Sequence, residues 1–484
     1  MGVTCIRNAS WIIGWDSDGH SHEYLRDGDV AFDDDRIIHV GGPYTGDVGV
    51  EVDGAGMLVM PGLINAHNHP SGMPFYKSIR EELANPKMYF TALYDGWRLF
   101  TPAPEDLYWG AQFAYCEMLL SGATTCVDMS FPYPDWIDTI AASGIRGFVA
   151  PLYQSAAWYT KTGHELSYDW TEDDGRAAFE HAIDLMDQAE GHTAGTLHAM
   201  VAPMAADNCT EELLKDSTSL AAARGWPMQL HAGESMMEFL EMTRRTGSTQ
   251  VQWLAERDLL GPSLTIGHGI FLDHHSWLHW YTNRDIGLLA EHGCSVSHCP
   301  TPFSRYGITL ENFGRYVDAG VNMAIGTDCH PHNMLEEMRT AAIMARVSGE
   351  GMDVVTTKQI FDAATIGGAK ALLRDDLGRL APGCKADLVM ISVEDPAMRP
   401  VYDPLRALIY VAADRAVRHV FVDGKQVVKD GQVTTMDFGA IAEKVEQIQA
   451  RILERVPERD YASRTAAEVT PLTLPLRGRN DFNA

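Results

Sequence analysis

The stretch MLVMPGLINAHNHP (residues 57–70) runs from apolar side chains into two histidines, His67 and His69, set two positions apart. The apolar part reads as a buried strand with the imidazoles at its end. Side chains alternate along a strand, so positions i and i+2 leave on the same side and both rings can reach one point in space. An isolated pair of this kind equally suits two solvated loop histidines beside Asn68 and Pro70. What stands at other strand ends decides between the two.

Working outward from VMPGLINAH (59–67), seven further β-prone runs follow: TTCVDM (124–129), IRGFVAPL (145–152), TLHAMVAP (196–203), WPMQLHAG (226–233), SLTIGHGI (263–270), CSVSHCP (294–300) and VNMAIGTD (321–328). Stretches with helical spacing separate most of them. One is EDLYWGAQFAYCEMLLSG (105–122), with apolar residues at three- and four-residue intervals and a closing glycine. Strands alternating with helices in this way predict an α/β chain folded as a (β/α)8 TIM barrel. The flanks read differently, as short strands split by turns in GDVAFDDDRIIHVGG (28–42) and again in RHVFVDGKQVVKDGQV (418–433). The two ends are expected to pair into a small β-sandwich domain. The predicted layout is therefore 1–57 and 378–435 in the sandwich, 58–377 in the barrel, and 436–484 as a helix and a polar tail on the surface or against a neighbouring subunit.

Lysine and arginine total 38 against 66 acidic residues in 484, a formal charge of −28 that opposes binding to nucleic acid or an anionic membrane. The eight cysteines are widely spaced with no CxxC pair, which suits buried thiols in a reducing compartment. The first residues lack the basic start and apolar core of a signal peptide, Ile6 stands where a myristoylation motif needs Ser or Thr, and no apolar run reaches the roughly 20 residues a membrane helix requires. A soluble cytoplasmic protein is expected.

Active sites of barrels sit at the carboxyl ends of the strands. Here the first strand ends in His67 and His69, the fifth in His231, the sixth in His268, the seventh in His298 and the eighth in Asp328. Four strands ending in histidine and one in aspartate favour a divalent cation, since imidazoles and a carboxylate bind zinc and leave a position open for water. Such an ion lowers the pKa of bound water from 15.7 to about 7. Glu234, three residues after His231 in HAGES, is placed to shuttle a proton between water and a substrate nitrogen, although an acid at that point also suits a helix start. Asp328 is able to accept a proton from the water as well as hold the metal. His268 is read as orienting or electrostatic rather than ligating, and His298 as either pocket-lining or structural. His274, His275 and His279 are expected in the following helix, in packing or surface roles. Aromatic residues cluster in the predicted loops, at Tyr94 and Trp97, Phe131 and Tyr133, Trp158 and Tyr159, and Phe303 and Tyr306, where they would stack a flat ring or simply pack.

PGLINAHNH, QLHAGES, TIGHGIFLD and IGTD, with the trailing LGRLAPGCKADLVMI and FVDGKQVV, resemble the metal-dependent amidohydrolase superfamily, in its branch of triazine hydrolases, guanine and cytosine deaminases and S-adenosylhomocysteine deaminases. The resemblance covers nearly all of residues 1–435. It implies one divalent metal per subunit, zinc first and iron as the alternative, held by His67, His69, His231 and Asp328, with Glu234 as acid and base and His268 orienting water or substrate. No lysine ends the fourth strand, where binuclear members carry a bridging carboxylated lysine. The chain also departs from the pattern: VAPMAADNC places Met204 where many deaminases of the branch carry a substrate-contacting histidine, which weighs against nucleoside substrates. CHPHNMLEEMR adds His330 and His332 beside the metal, to contact substrate or to cap the helix. The expected reaction is attack of metal-bound hydroxide on an electron-poor ring carbon of an N-heterocycle with loss of an amine. The alternatives are loss of chloride or a thioether, amide or carbamate cleavage, and a barrel that only binds a ligand. The family habit implies a homodimer or larger homo-oligomer.

Overall fold

The computed structural model describes residues 2–79, 92–161 and 165–477. Eight parallel strands form the barrel: β1 (Leu63–Asn65), β2 (Ala123–Asp128), β3 (Arg146–Val149), β4 (Leu197–Ala199), β5 (Met228–Ala232), β6 (Leu264–His268), β7 (Ser295–His298) and β8 (Asn322–Ile325). Each of the eight predicted runs coincides with one, β2 starting one residue before its run. Strands β1 to β4 pair in sequence as one ribbon and β5 to β8 as another. Backbone bridges close the two seams. Val201 bridges Met228 between β4 and β5, and Asn68 bridges Asp328 between β1 and β8.

Helices follow the strands on the outside, from Leu107–Leu120 after β1 to Met334–Ser348 after β8. The predicted helix 105–122 is found at Leu107–Leu120, and Gly122 follows in a left-handed conformation that glycine adopts without strain. The barrel strands are almost wholly buried, as expected for a sheet covered on both faces.

One predicted run divides between two sheets. Met57–Pro61 pairs antiparallel with Leu388–Ser392 in the terminal domain, and only Leu63–Asn65 enters the barrel. Gly62 makes the break, and a Cβ there would collide with the Thr124 side chain. The terminal domain is a nine-stranded sheet drawn from both ends of the chain. It doubles over on itself. Ser21–Asp33 and Val417–Val422 stand four strands apart in the hydrogen-bonded order, about 19 Å in a flat sheet, yet Phe32 and Phe421 bring their ring centroids to 5.6 Å. That contact makes the sheet a sandwich with its own small core.

The helix Phe438–Glu454 packs within its own chain. Its buried Ile441, Val445, Ile448 and Ile452 meet Phe75, Leu99, Phe100 and Cys116. Gln449 donates both amide protons, to the carbonyls of Phe75 at 3.0 Å and Lys77 at 2.8 Å. Leu472, Leu474 and Leu476 lie exposed beyond it. All eight cysteines are free thiols and seven are buried. Among the described residues, no helix is long and apolar enough to cross a membrane.

Candidate metal centre

The β1–β8 seam assembles the centre. Asp328 donates its backbone N–H to the His67 carbonyl and accepts from the His69 N–H, each at 2.9 Å, which sets the HxH pair against the aspartate. Asn65 and Thr327 lock the same seam through two side-chain bonds of 2.8 and 2.9 Å. Asp328 and His268 both take left-handed backbone angles, with φ of 56° and 75°. Non-glycine residues pay on the order of 1–3 kcal/mol for such conformations, and they concentrate at functional sites.

Three imidazoles aim the same nitrogen inward. His69 donates Nδ1–H to the Met129 carbonyl at 2.7 Å, and His231 donates its Nδ1–H to the Met204 carbonyl. For His67 a side chain fixes the tautomer. Gln229 donates its amide to the Ala66 carbonyl at 2.9 Å, which turns its oxygen toward His67 Nδ1 as acceptor. Each Nε2 is therefore left with a lone pair. Burial, reinforced by the neighbouring imidazoles, pushes the His69 pKa down to about 4 and that of His231 well below the ordinary value, so these rings stay neutral. Yet Nε2 of His69 and Nε2 of His231 stand 3.2 Å apart, and Asp328 Oδ1 lies 3.6 Å from Nε2 of His67 and 3.5 Å from that of His69. Lone pairs and a carboxylate converging at these distances repel one another unless a cation stands among them.

His67, His69 and Asp328 form one group with ligand atoms within 4.8 Å of one another, and His67, His231 and His268 form another. His268 is fully buried with neither ring nitrogen hydrogen-bonded, and its ring centroid is 4.6 Å from that of His67 and 4.8 Å from that of Phe303. It belongs to the cluster. Glu234 sits on the adjoining wall, where burial, then Asp328, Glu238 and Asp207, raise its pKa well above the ordinary range. Glu238 fixes that stretch of backbone by accepting from Gly233 N–H at 3.2 Å and Glu234 N–H at 2.8 Å. Ser235 caps the helix Met236–Thr246.

The centre opens into a cleft of about 1040 Å³, mouth included, whose wall holds His69, His231, Glu234 and Asp328 together with Trp97, Phe303 and His330. Two expected contacts lie elsewhere. His332 is fully buried beneath the wall with Nδ1 3.3 Å from the Thr327 hydroxyl, and the adjacent Asn333, rather than His332, caps the next helix. His298 lines a smaller neighbouring cavity against Phe313, and burial lowers its pKa to about 3. His274, His275 and His279 lie in the loop after β6 rather than in a helix, with His275 buried against Phe271 and His279 exposed.

Sequence reading passed over Gln229 and Glu238. Spacing alone marks them, and weakly: Gln229 stands two residues before His231 on one side of a strand, and Glu238 four residues after Glu234.

A family model described as "Amidohydrolase family" matches residues 58–427. The chain belongs to the amidohydrolase family. Among its amidohydrolase relatives, a 5'-deoxyadenosine deaminase of Methanosarcina mazei is 28% identical over 94% of this chain and 100% of its own. A 5-methylthioadenosine/S-adenosylhomocysteine deaminase of Halobacterium salinarum is 30% identical over 91% of this chain and 97% of its own. Of the solved structures, an adenosine deaminase from Xanthomonas campestris with bound zinc superposes with a TM-score of 0.78 at 24% identity, over 93% of this chain and 98% of that one. A zinc complex of atrazine chlorohydrolase from Arthrobacter aurescens reaches 0.79 at 22%, over 92% and 100%. The fold is that of the amidohydrolase barrel.

Proposed function

We propose that this amidohydrolase is a metal-dependent aminohydrolase that removes an amino group from an electron-poor carbon of an N-heterocycle. The observation that carries the reading is the close approach of Nε2 of His69 to Nε2 of His231, at 3.2 Å, beside an Asp328 carboxylate 3.6 Å from Nε2 of His67 and 3.5 Å from that of His69. His67, His69, His231 and Asp328 fit one divalent ion, zinc before iron. The ion, when bound, supplies water acidified to near neutral pH.

The chain's own residues do the rest. Burial raises the proton affinity of Glu234, which suits a group that takes a proton from the attacking water and hands it to the departing nitrogen. The water oxygen bonds to the ring carbon as the C–N bond breaks, and ammonia or an alkylamine leaves. His268 holds water or substrate in line. Phe303 and Trp97 offer aromatic faces to the ring, and His330 reaches it from the loop after β8. Relatives named for adenine nucleosides support an adenine-type ring, against the expectation drawn from Met204, which here lends an apolar side chain to the cleft wall.

The test is metal content by plasma mass spectrometry beside ammonia release over purines, pterins, pyrimidines and triazines. About one zinc or iron per chain with ammonia from one of these rings is expected. Metal without ammonia from any of them overturns the aminohydrolase reading.

A further inference from the structure

The cleft continues past His69 into a second lobe, with His69, Met73, Tyr76 and Trp97 bordering both. This lobe encloses about 820 Å³ with its mouth and lies over the carboxyl ends of β2 and β3, where Met129, Phe131 and Leu152 contribute to its wall. The two lobes differ in chemistry. The metal-side lobe holds Glu234, Asp328, Arg305 and His330, whereas among the described residues no Asp, Glu, Lys or Arg lines the second. Two of its hydroxyls are committed to the protein, Ser130 donating to Asp128 at 2.6 Å and Thr101 to the Trp97 carbonyl. A group entering meets hydrocarbon, thioether and aromatic surface. An apolar group gains by leaving water there, and a charged one loses hydration without finding a side chain of opposite charge among the described residues.

We infer that the second lobe receives an uncharged, apolar substituent of the substrate, carried on the side of the heterocycle away from the leaving nitrogen, and that it selects against charged tails. This rests on the aminohydrolase reading.

The zinc-loaded full-length protein is assayed with four adenine nucleosides that differ only in the 5′ tail: 5′-deoxyadenosine, 5′-methylthioadenosine, 5′-benzylthioadenosine and S-adenosylhomocysteine. The expected kcat/KM rises about tenfold or more from the first to the third and falls about tenfold or more from the third to the zwitterionic fourth. Phe131→Arg, at a lobe position 40% exposed, is expected to remove the advantage of the benzyl tail. A flat series, or a preference for S-adenosylhomocysteine over the benzylthio compound, overturns the inference and leaves the aminohydrolase standing. If none of the four releases ammonia, the adenine assignment fails and the same comparison is read as Kd by calorimetry. Tightening of about tenfold with the benzyl tail then upholds the apolar lobe, and equal Kd values overturn it.

Discussion

At the scale of single residues, the orientation of the rings is set by partners outside the ligand set. Gln229 does for His67 what backbone carbonyls do for His69 and His231, holding Nδ1 protonated so that Nε2 faces inward. Gln229→Leu keeps the volume and removes the acceptor. Loss of such a partner typically weakens metal affinity about 10–100-fold, and competition with a chromogenic chelator checks it; unchanged affinity would show that the tautomer is fixed otherwise. Glu234→Gln is expected to keep metal content intact while lowering kcat about 100-fold or more, and equal turnover would sink its role as proton carrier. The four proposed ligands and Glu234 were legible in sequence because strand ends and the i, i+2 rule leave a regular trace. Gln229 was not, since an uncharged amide at a strand's centre reads as ordinary polar filling until its partner across the barrel is known.

At the scale of elements, barrel and sandwich are joined by a buried ion cluster. Arg146, fully buried at the start of β3, bonds Asp387 through two nitrogens at 2.8 and 2.9 Å and Asp423 at 2.8 Å, and Lys385 reaches Asp423 at 2.8 Å. Both aspartates belong to the terminal domain side of the chain. Removing the arginine leaves two acids facing each other with only Lys385 to offset them, and breaking a buried pair in this way costs about 3–5 kcal/mol. Arg146→Ala is thus expected to lower the urea midpoint, while Asp387→Asn together with Arg146→Met, which removes charge from both sides, recovers part of the loss. An unchanged midpoint in Arg146→Ala would mean the cluster contributes nothing to the junction. Sequence pattern located all eight strands but not this junction, because Arg146 and Asp387 lie 241 residues apart. Pattern also left open whether His298 and His332 face the cleft: His298 is the last residue of its strand, and His332 lies in a loop, which carries no period from which a side chain's direction can be read.

At the scale of the whole molecule, the response to pH follows from carboxylates shifted in opposite directions. Burial raises Asp128 to about 6 and, with help from Asp273, raises Asp285 to about 6. Both are satisfied by hydrogen bonds, Asp285 accepting from Thr249 and Gln252 at 2.8 Å. An acid whose folded pKa exceeds its unfolded one binds more protons in the native state between the two values, so its contribution is present at low pH and is lost as pH rises from about 4 through 6. Each is worth on the order of 2–3 kcal/mol. Asp376 runs the other way, because Arg374 and Arg36 overcome its burial and bring it down to about 2. Its contribution holds above about 4 and fades as pH falls toward 2. The surplus of 66 acids over 38 bases adds to the first trend, since protonation relieves self-repulsion. Buried imidazoles run against that trend: burial brings His69 to about 4 and His198 and His298 to about 3, so they stay neutral while unfolded imidazoles charge below about 6.5, and their contribution, present above 6.5, is lost as pH falls. Metal-free protein is therefore expected to lose stability steeply below about 4, read as Tm by scanning calorimetry in chelator. Asp285→Asn is expected to raise Tm at pH 7.5 relative to its value at pH 5, compared with the parent, while leaving the acid limb in place. An unchanged difference in Tm between pH 5 and 7.5 in Asp285→Asn would show that Asp285 is held ionised by charges other than those facing it here.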